Sequence, residues 1–148
     1  MSIRFELIAY VLLYRAMACP YFYPVVRFDS GEWAIPPRLP LGDPYTGECR
    51  AATTPIQPGE SLIRDVCNVG YGRKRCEHFP DSGQADSIRF NILEDKGVSI
   101  RLHYVFERGC WPGDSGVLEC SGGSVTSSDP ILERQAAAFL ESYLRRRD

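Results

Sequence analysis

Histidine is scarce: only His78 and His103 stand in the 148 residues, so general acid–base chemistry near neutral pH has little to draw on. No two cysteines are separated by the two to four residues of a zinc-finger knuckle. No apolar run approaches the ~20 residues of a bilayer span. Neither sign of charge is in excess: a formal charge of -2 exerts no long-range pull on nucleic acid or an anionic membrane. Internal repeats and low-complexity tracts are missing. No activated nucleophile, paired-carboxylate site or phosphate-cradling glycine loop stands out, so nothing in the sequence argues for catalysis.

What is present is ordinary globular composition, 44% apolar and 24% charged, with six cysteines. That many thiols in a chain of this size calls for disulfides in an oxidising compartment or a metal in a reducing one. The first 16 residues carry a signal-like apolar stretch from Leu7 to Tyr14, and Ala16-Met17-Ala18-Cys19 has the look of a lipoprotein cleavage site. Glu6 and Arg15 interrupt the pattern. Residues 1–18 are therefore read as an N-terminal helix or extension on a cytoplasmic protein, with export as the alternative.

The expected fold is α+β in one compact domain. Residues 19–80 form a cysteine-rich half with nine of the eleven prolines, where long regular elements are not expected. Tyr21, Phe22, Tyr23, Phe28, Trp33, Tyr45 and Tyr71 make it too aromatic for disorder, so an ordered but irregular half needs a staple. Pro58, the stripe Leu62, Ile63 and Val66, and Gly70 predict one short helix over 59–68 with Cys67 on its last turn. Residues 81–148 change to period two. Ile88, Phe90 and Ile92, a turn at Glu94-Asp95-Lys96-Gly97, then Val98, Ile100, Leu102, Tyr104 and Phe106 predict a hairpin with one wet face. A third strand is expected around Val117–Cys120 after a turn-rich 109–116 stretch. Asp129-Pro130 then opens a helix whose Leu132, Ala136, Phe139, Leu140 and Tyr143 cover the meander.

Cys19, Cys49, Cys67 and Cys76 are expected to hold one metal centre as ligands, most simply a [4Fe-4S] cluster, which accepts scattered thiolates. Cys19-Pro20 resembles the Cys-Pro that ends the bacterial ferredoxin run, although the run itself is absent. Arg50, Arg64, Arg73, Lys74 and Arg75 are expected to offset the negative charge of the centre, and Gly70 and Gly72 to turn amide groups toward sulfur. The alternatives are a zinc-stapled protein- or nucleic-acid-interaction module, and an exported disulfide-bonded protein in which buried thiols serve as small hydrophobes or pair. A protein partner for electron transfer follows from the first reading.

The remaining motifs have plainer explanations. Cys110 and Cys120 are expected to flank a hairpin turn, as thiols or as a pair across it. Gly113-Asp114-Ser115-Gly116 after Cys110 resembles the nucleophile loop of trypsin-like serine proteases, but those are far longer double barrels and the residues suit a β-turn. His78 is a spare ligand two residues past Cys76. His103 with Arg89 and Arg101 is an anion site at best and a solvated strand face by default. Arg73-Lys74-Arg75 beside Tyr71 suggests phosphate contact with base stacking, but in an acidic chain a solvated turn is the simpler account.

Overall fold

The computed structural model describes residues 18–27, 41 and 44–147. The expectations for the N-terminal extension up to Met17, and for Phe28, Trp33, Pro36, Pro37 and Pro40, lie outside the described residues.

Among the described residues, six strands and two helices follow in order: β1 (Phe22–Arg27), β2 (Tyr45–Cys49), a short helix α1 (Glu60–Cys67), β3 (Ser87–Asp95), β4 (Ser99–Arg108), β5 (Trp111–Ser121), β6 (Ser124–Val125) and α2 (Pro130–Arg147). They form an antiparallel two-stranded sheet, β1-β2, and a four-stranded meander, β3-β4-β5-β6. The α+β expectation agrees with these sheets and the closing helix.

The hairpin follows from alternation. Ile88, Phe90, Ile100 and Leu102 are all buried and meet α2 through Leu132, Ala136 and Leu140 in one apolar core. Gly97 takes a left-handed φ of 90° at the turn, and its amide donates to Asp95 Oδ1 at 2.8 Å. Val98 departs from its expected inward position and is 71% exposed at the hairpin tip. The outer face is not uniformly wet either: Val105, Ser87 and Glu107 are buried there, because the loop from Val69 to Asp86 lies over that end. Tyr71 N–H donates to Asp86 O at 3.0 Å, and Asp86 N–H to Glu107 O at 2.7 Å.

The stretch expected to be turn-rich is strand. β5 runs from Trp111 and pairs with β4 at Pro112↔Glu107 and Ser115↔Val105, so Ser115 is a strand residue. β6 pairs only with Cys120 and Ser121, which leaves the first part of β5 as an edge, where proline is tolerated. Gly116 is needed there because Tyr104 lies across it: a Cβ would stand 2.7 Å from the ring's Cζ. Cys110 and Cys120 consequently sit at opposite ends of one strand, roughly 30 Å apart at ~3.3 Å per residue, and cannot pair.

Helix α2 starts where Asp129 Oδ1 accepts the amides of Ile131 and Leu132 at 3.0 and 3.2 Å. Beyond its apolar side it reaches the other half of the chain. The fully buried Gln135 donates to the carbonyls of Cys19 and Phe22 at 2.8 and 2.6 Å, and Arg134 to that of Pro24 at 2.6 Å. The strands β1 and β2 were hidden by Pro24, Gly47 and Pro44.

Candidate metal centre

Each of the four scattered thiols arrives on a different piece of backbone. Cys19 follows Ala18, whose amide and carbonyl bond to Ile88 at 2.7 and 2.8 Å, so it hangs from the first strand of the meander. Cys49 ends β2, where its amide and carbonyl exchange bonds with Ile56 at 2.7 and 2.8 Å.

Cys67 ends α1, which differs from the expected helix. One α turn over Glu60–Leu62 passes into a wider π turn over Ile63–Cys67, and the Asn68 amide reaches back five residues to Ile63 O at 3.3 Å. The extra residue in the turn swings Cys67 and Asn68 inward: both are buried, Asn68 completely. Such π turns recur at functional sites. Gly70 does take the left-handed φ, 79°, but its amide closes the helix on Val66 O at 2.7 Å and is not turned toward sulfur.

Cys76 closes a tight turn, its amide on Gly72 O at 2.7 Å. Gly72 is pressed against its neighbours, with a Cβ position 2.7 Å from Val66 Cγ1 and 3.5 Å from Cys76 Cβ. Cys19 and Cys67 are tied directly, Cys19 N–H donating to Cys67 O at 3.1 Å.

The four thiols, with His78, line one cavity whose other walls are apolar, among them Tyr21, Phe22, Leu62, Val66 and Phe79. Cys19, Cys49 and Cys67 are buried and Cys76 is half-buried. Burial pushes the Cys19 thiol up to about 12, opposed by the Tyr21 amide, with the Cys49 and Cys76 thiolates adding to the rise and the Phe22 amide opposing it. Burial also raises Cys67, with repulsion from Cys19, Cys49 and Cys76 next. Cys49 is raised by burial, opposed by the Ala51 amide, and raised again by Cys76. Every one of the six possible pairs among the four sulfurs is thus close enough to repel when ionised.

The spacing nevertheless exceeds that of a mononuclear site. Among the described residues, no three or more His, Cys, Asp or Glu side chains are gathered tightly enough for one metal ion. A tetrahedral zinc holds sulfur at ~2.3 Å and hence its sulfurs about 3.8 Å from each other. The cavity between the four thiols is small, with room for about one water molecule.

Four of the five expected cations are otherwise engaged. Arg73 pairs with Asp86 at 2.7 Å, Arg50 with Glu48 at 2.8 Å and Arg64 with Asp65 at 3.2 Å. Arg75 donates to the Asp65 carbonyl. The amides aimed at sulfur are those of Tyr21, Phe22, Ala51 and Cys67 itself. The spacing gave no sign of this, although an amide one to three residues past a cysteine is well placed for it.

The other sequence candidates are not free either. Arg89 and Arg101 of the suggested anion site are bound to Glu107 and Glu119, at 2.8 and 2.9 Å. Tyr71, suggested for base stacking, donates to Glu107 Oε1 at 3.1 Å. His78 lines the cavity but also stands 3.7 Å from Glu77. Among the described residues no helix is long and apolar enough to cross a membrane.

No protein-family model matches the chain, and no curated protein or solved structure shows significant similarity to it.

Proposed function

We propose that this chain is a small iron-sulfur protein in which Cys19, Cys49, Cys67 and Cys76 each ligate one iron of a [4Fe-4S] cluster, which exchanges electrons with a protein partner or staples the loop-rich half. The observation that carries the reading is that all four thiols, brought from separate pieces of the chain, line one apolar cavity. A polynuclear cluster gives each thiolate its own iron, so its sulfurs stay further apart than those around zinc. Amides directed at Cys19 and Cys49 support thiolate character, and such hydrogen bonds together with burial are the protein's levers on a cluster's potential. Thiolate ligation on this scale fits a reducing compartment such as the cytoplasm.

Anaerobic purification with iron, sulfide and zinc determined per chain tests the reading. Brown colour with about four irons and matching sulfide is expected, lost on replacing any of Cys19, Cys49, Cys67 or Cys76 by Ser and kept in Cys110→Ser and Cys120→Ser. A colourless chain with one zinc would replace the cluster with a structural staple. A metal-free chain with disulfides by mass spectrometry would sink both.

A further inference from the structure

The chain turns from β4 into β5 on Gly109 and Cys110, both left-handed, with φ of 57° and 69°. Such two-residue turns ordinarily take glycine or asparagine, yet here the second place is a cysteine, and it is exposed. Two side chains of the Val69–Asp86 loop hold the turn. Asp86 Oδ2 accepts the Gly109 amide at 2.7 Å, and the Tyr71 hydroxyl accepts the Cys110 amide at 3.0 Å.

Polar groups gather behind the thiol. Tyr71 donates onward to Glu107 Oε1 at 3.1 Å, and Glu107 Oε2 is neutralised by Arg89 at 2.8 Å. Ser87 stands directly across the sheet from Glu107. It is completely buried, and its hydroxyl has no hydrogen-bond partner among the described residues. That hydroxyl faces the same Tyr71 oxygen as the Cys110 thiol does. A buried hydroxyl left unpaired is destabilising, so one added polar atom between it and the sulfur would complete the site. Burial, and next the Cys110 thiol, raise the Tyr71 pKa above its ordinary 10.0, so the phenol stays protonated and puts no charge beside the sulfur.

We propose that Cys110 is a modification site, oxidised by hydrogen peroxide to a sulfenic acid whose added oxygen hydrogen-bonds to Ser87. The proposal does not rest on the cluster reading, in which Cys110 is not a ligand. In the step the Cys110 thiolate attacks one peroxide oxygen, the O–O bond breaks, and the leaving hydroxide takes up a proton to become water. Sulfur is oxidised by two electrons and the peroxide is reduced by two. Susceptibility to this step follows exposure, and the other five thiols are buried or half-buried. The acid persists because no second thiol shares the turn to convert it to a disulfide: Cys120 lies toward the far end of β5, and the remaining four line the apolar cavity.

The test treats the intact, anaerobically purified chain with hydrogen peroxide, traps with dimedone after increasing delays and locates the adduct by peptide mass spectrometry. The adduct is expected at Cys110 first, and that site is lost in Cys110→Ser. Ser87→Ala removes a hydroxyl that has no partner in the reduced chain, so its thermal midpoint should not fall. Its sulfenic acid should form at the parent rate but decay about fivefold faster, the effect of one lost hydrogen bond. Equal lifetimes in Ser87→Ala and the parent chain would overturn the proposal, and so would dimedone labelling of any other thiol ahead of Cys110. A lowered midpoint in Ser87→Ala would also count against it, because the hydroxyl would then be paired before oxidation.

Discussion

Asn68 and Tyr45 hold each other through the backbone of one and the side chain of the other: Asn68 Oδ1 accepts the Tyr45 amide at 3.1 Å, and Asn68 Nδ2 donates to the Tyr45 carbonyl at 3.0 Å. The same Nδ2 also donates to Ile63 O at 2.9 Å. A completely buried amide thereby makes a three-bond clamp between β2, which ends in Cys49, and the π turn, which ends in Cys67. Asn68→Leu keeps the branching at Cγ but adds bulk and leaves buried groups at Tyr45 unpaired, at a cost of about 3 kcal/mol. Thermal unfolding should show the midpoint falling by roughly 6–12 °C for a chain of this length, with metal content reduced. A fall within experimental error would mean that water substitutes for the clamp.

That clamp marks where sequence reasoning stopped. The β3–β4 hairpin was legible because Ile88 to Phe106 alternate against one core, and the long helix α2 because Asp129-Pro130 caps an apolar face. The thiol set was legible as residue type. The meeting of four of them at one site was expected, but the means was not legible, since Cys19 is positioned by Ile88 and Gln135, more than sixty residues away. The π turn leaves no periodic signature, because it inserts a single residue into an otherwise helical stripe. β5 was missed because Pro112, Gly113, Asp114 and Gly116 read locally as a turn, while the long partner offered by β4 overrides local preference.

Asp86 anchors the loop that carries Cys76. Its Oδ1 accepts from Arg73 Nε at 2.7 Å and its Oδ2 from the Gly109 amide at 2.7 Å, while Arg73 Nη2 donates to Gly83 O at 2.6 Å. Burial raises this carboxyl's pKa, but the Arg73 and Gly109 hydrogen bonds outweigh it and hold it below its ordinary 3.8. A carboxyl depressed in the folded state contributes stability that is full above the unfolded value and is lost as pH falls through the folded one. Asp86→Ala should therefore destabilise by about 3 kcal/mol at neutral pH. Urea titrations of both chains should converge as pH drops below about 4. A difference that persists undiminished in acid would assign the loss to packing and not to the charge.

Gly72 is where the Cys76 turn meets α1, and the 2.7 Å from its Cβ position to Val66 Cγ1 leaves no room for a methyl group. Gly72→Ala is expected to cost about 1–3 kcal/mol by overpacking and to lower metal occupancy by moving Cys76. Adding Val66→Ala removes the clashing methyl, so the double variant should recover occupancy relative to Gly72→Ala alone. Additive losses would show that the two sites do not touch in solution.

The thiols themselves set opposite pH responses for the metal-free and loaded chains. Cys19 titrates at about 12 in the fold against an ordinary 9.0, and Cys49 and Cys67 are raised as well. A group raised on folding contributes stability that is full below its unfolded pKa and lost as pH climbs through the folded one. The metal-free chain should thus weaken between pH 9 and 12, and Cys19→Ser should flatten that decline. Ligation demands thiolates, so loading must expel protons and strengthen as pH rises through the neutral range. Calorimetric reconstitution at pH 7 in buffers of differing ionisation heat should count about four protons released per centre. A count near zero would mean that the thiols are already ionised in the metal-free fold, contrary to their burial in an apolar cavity.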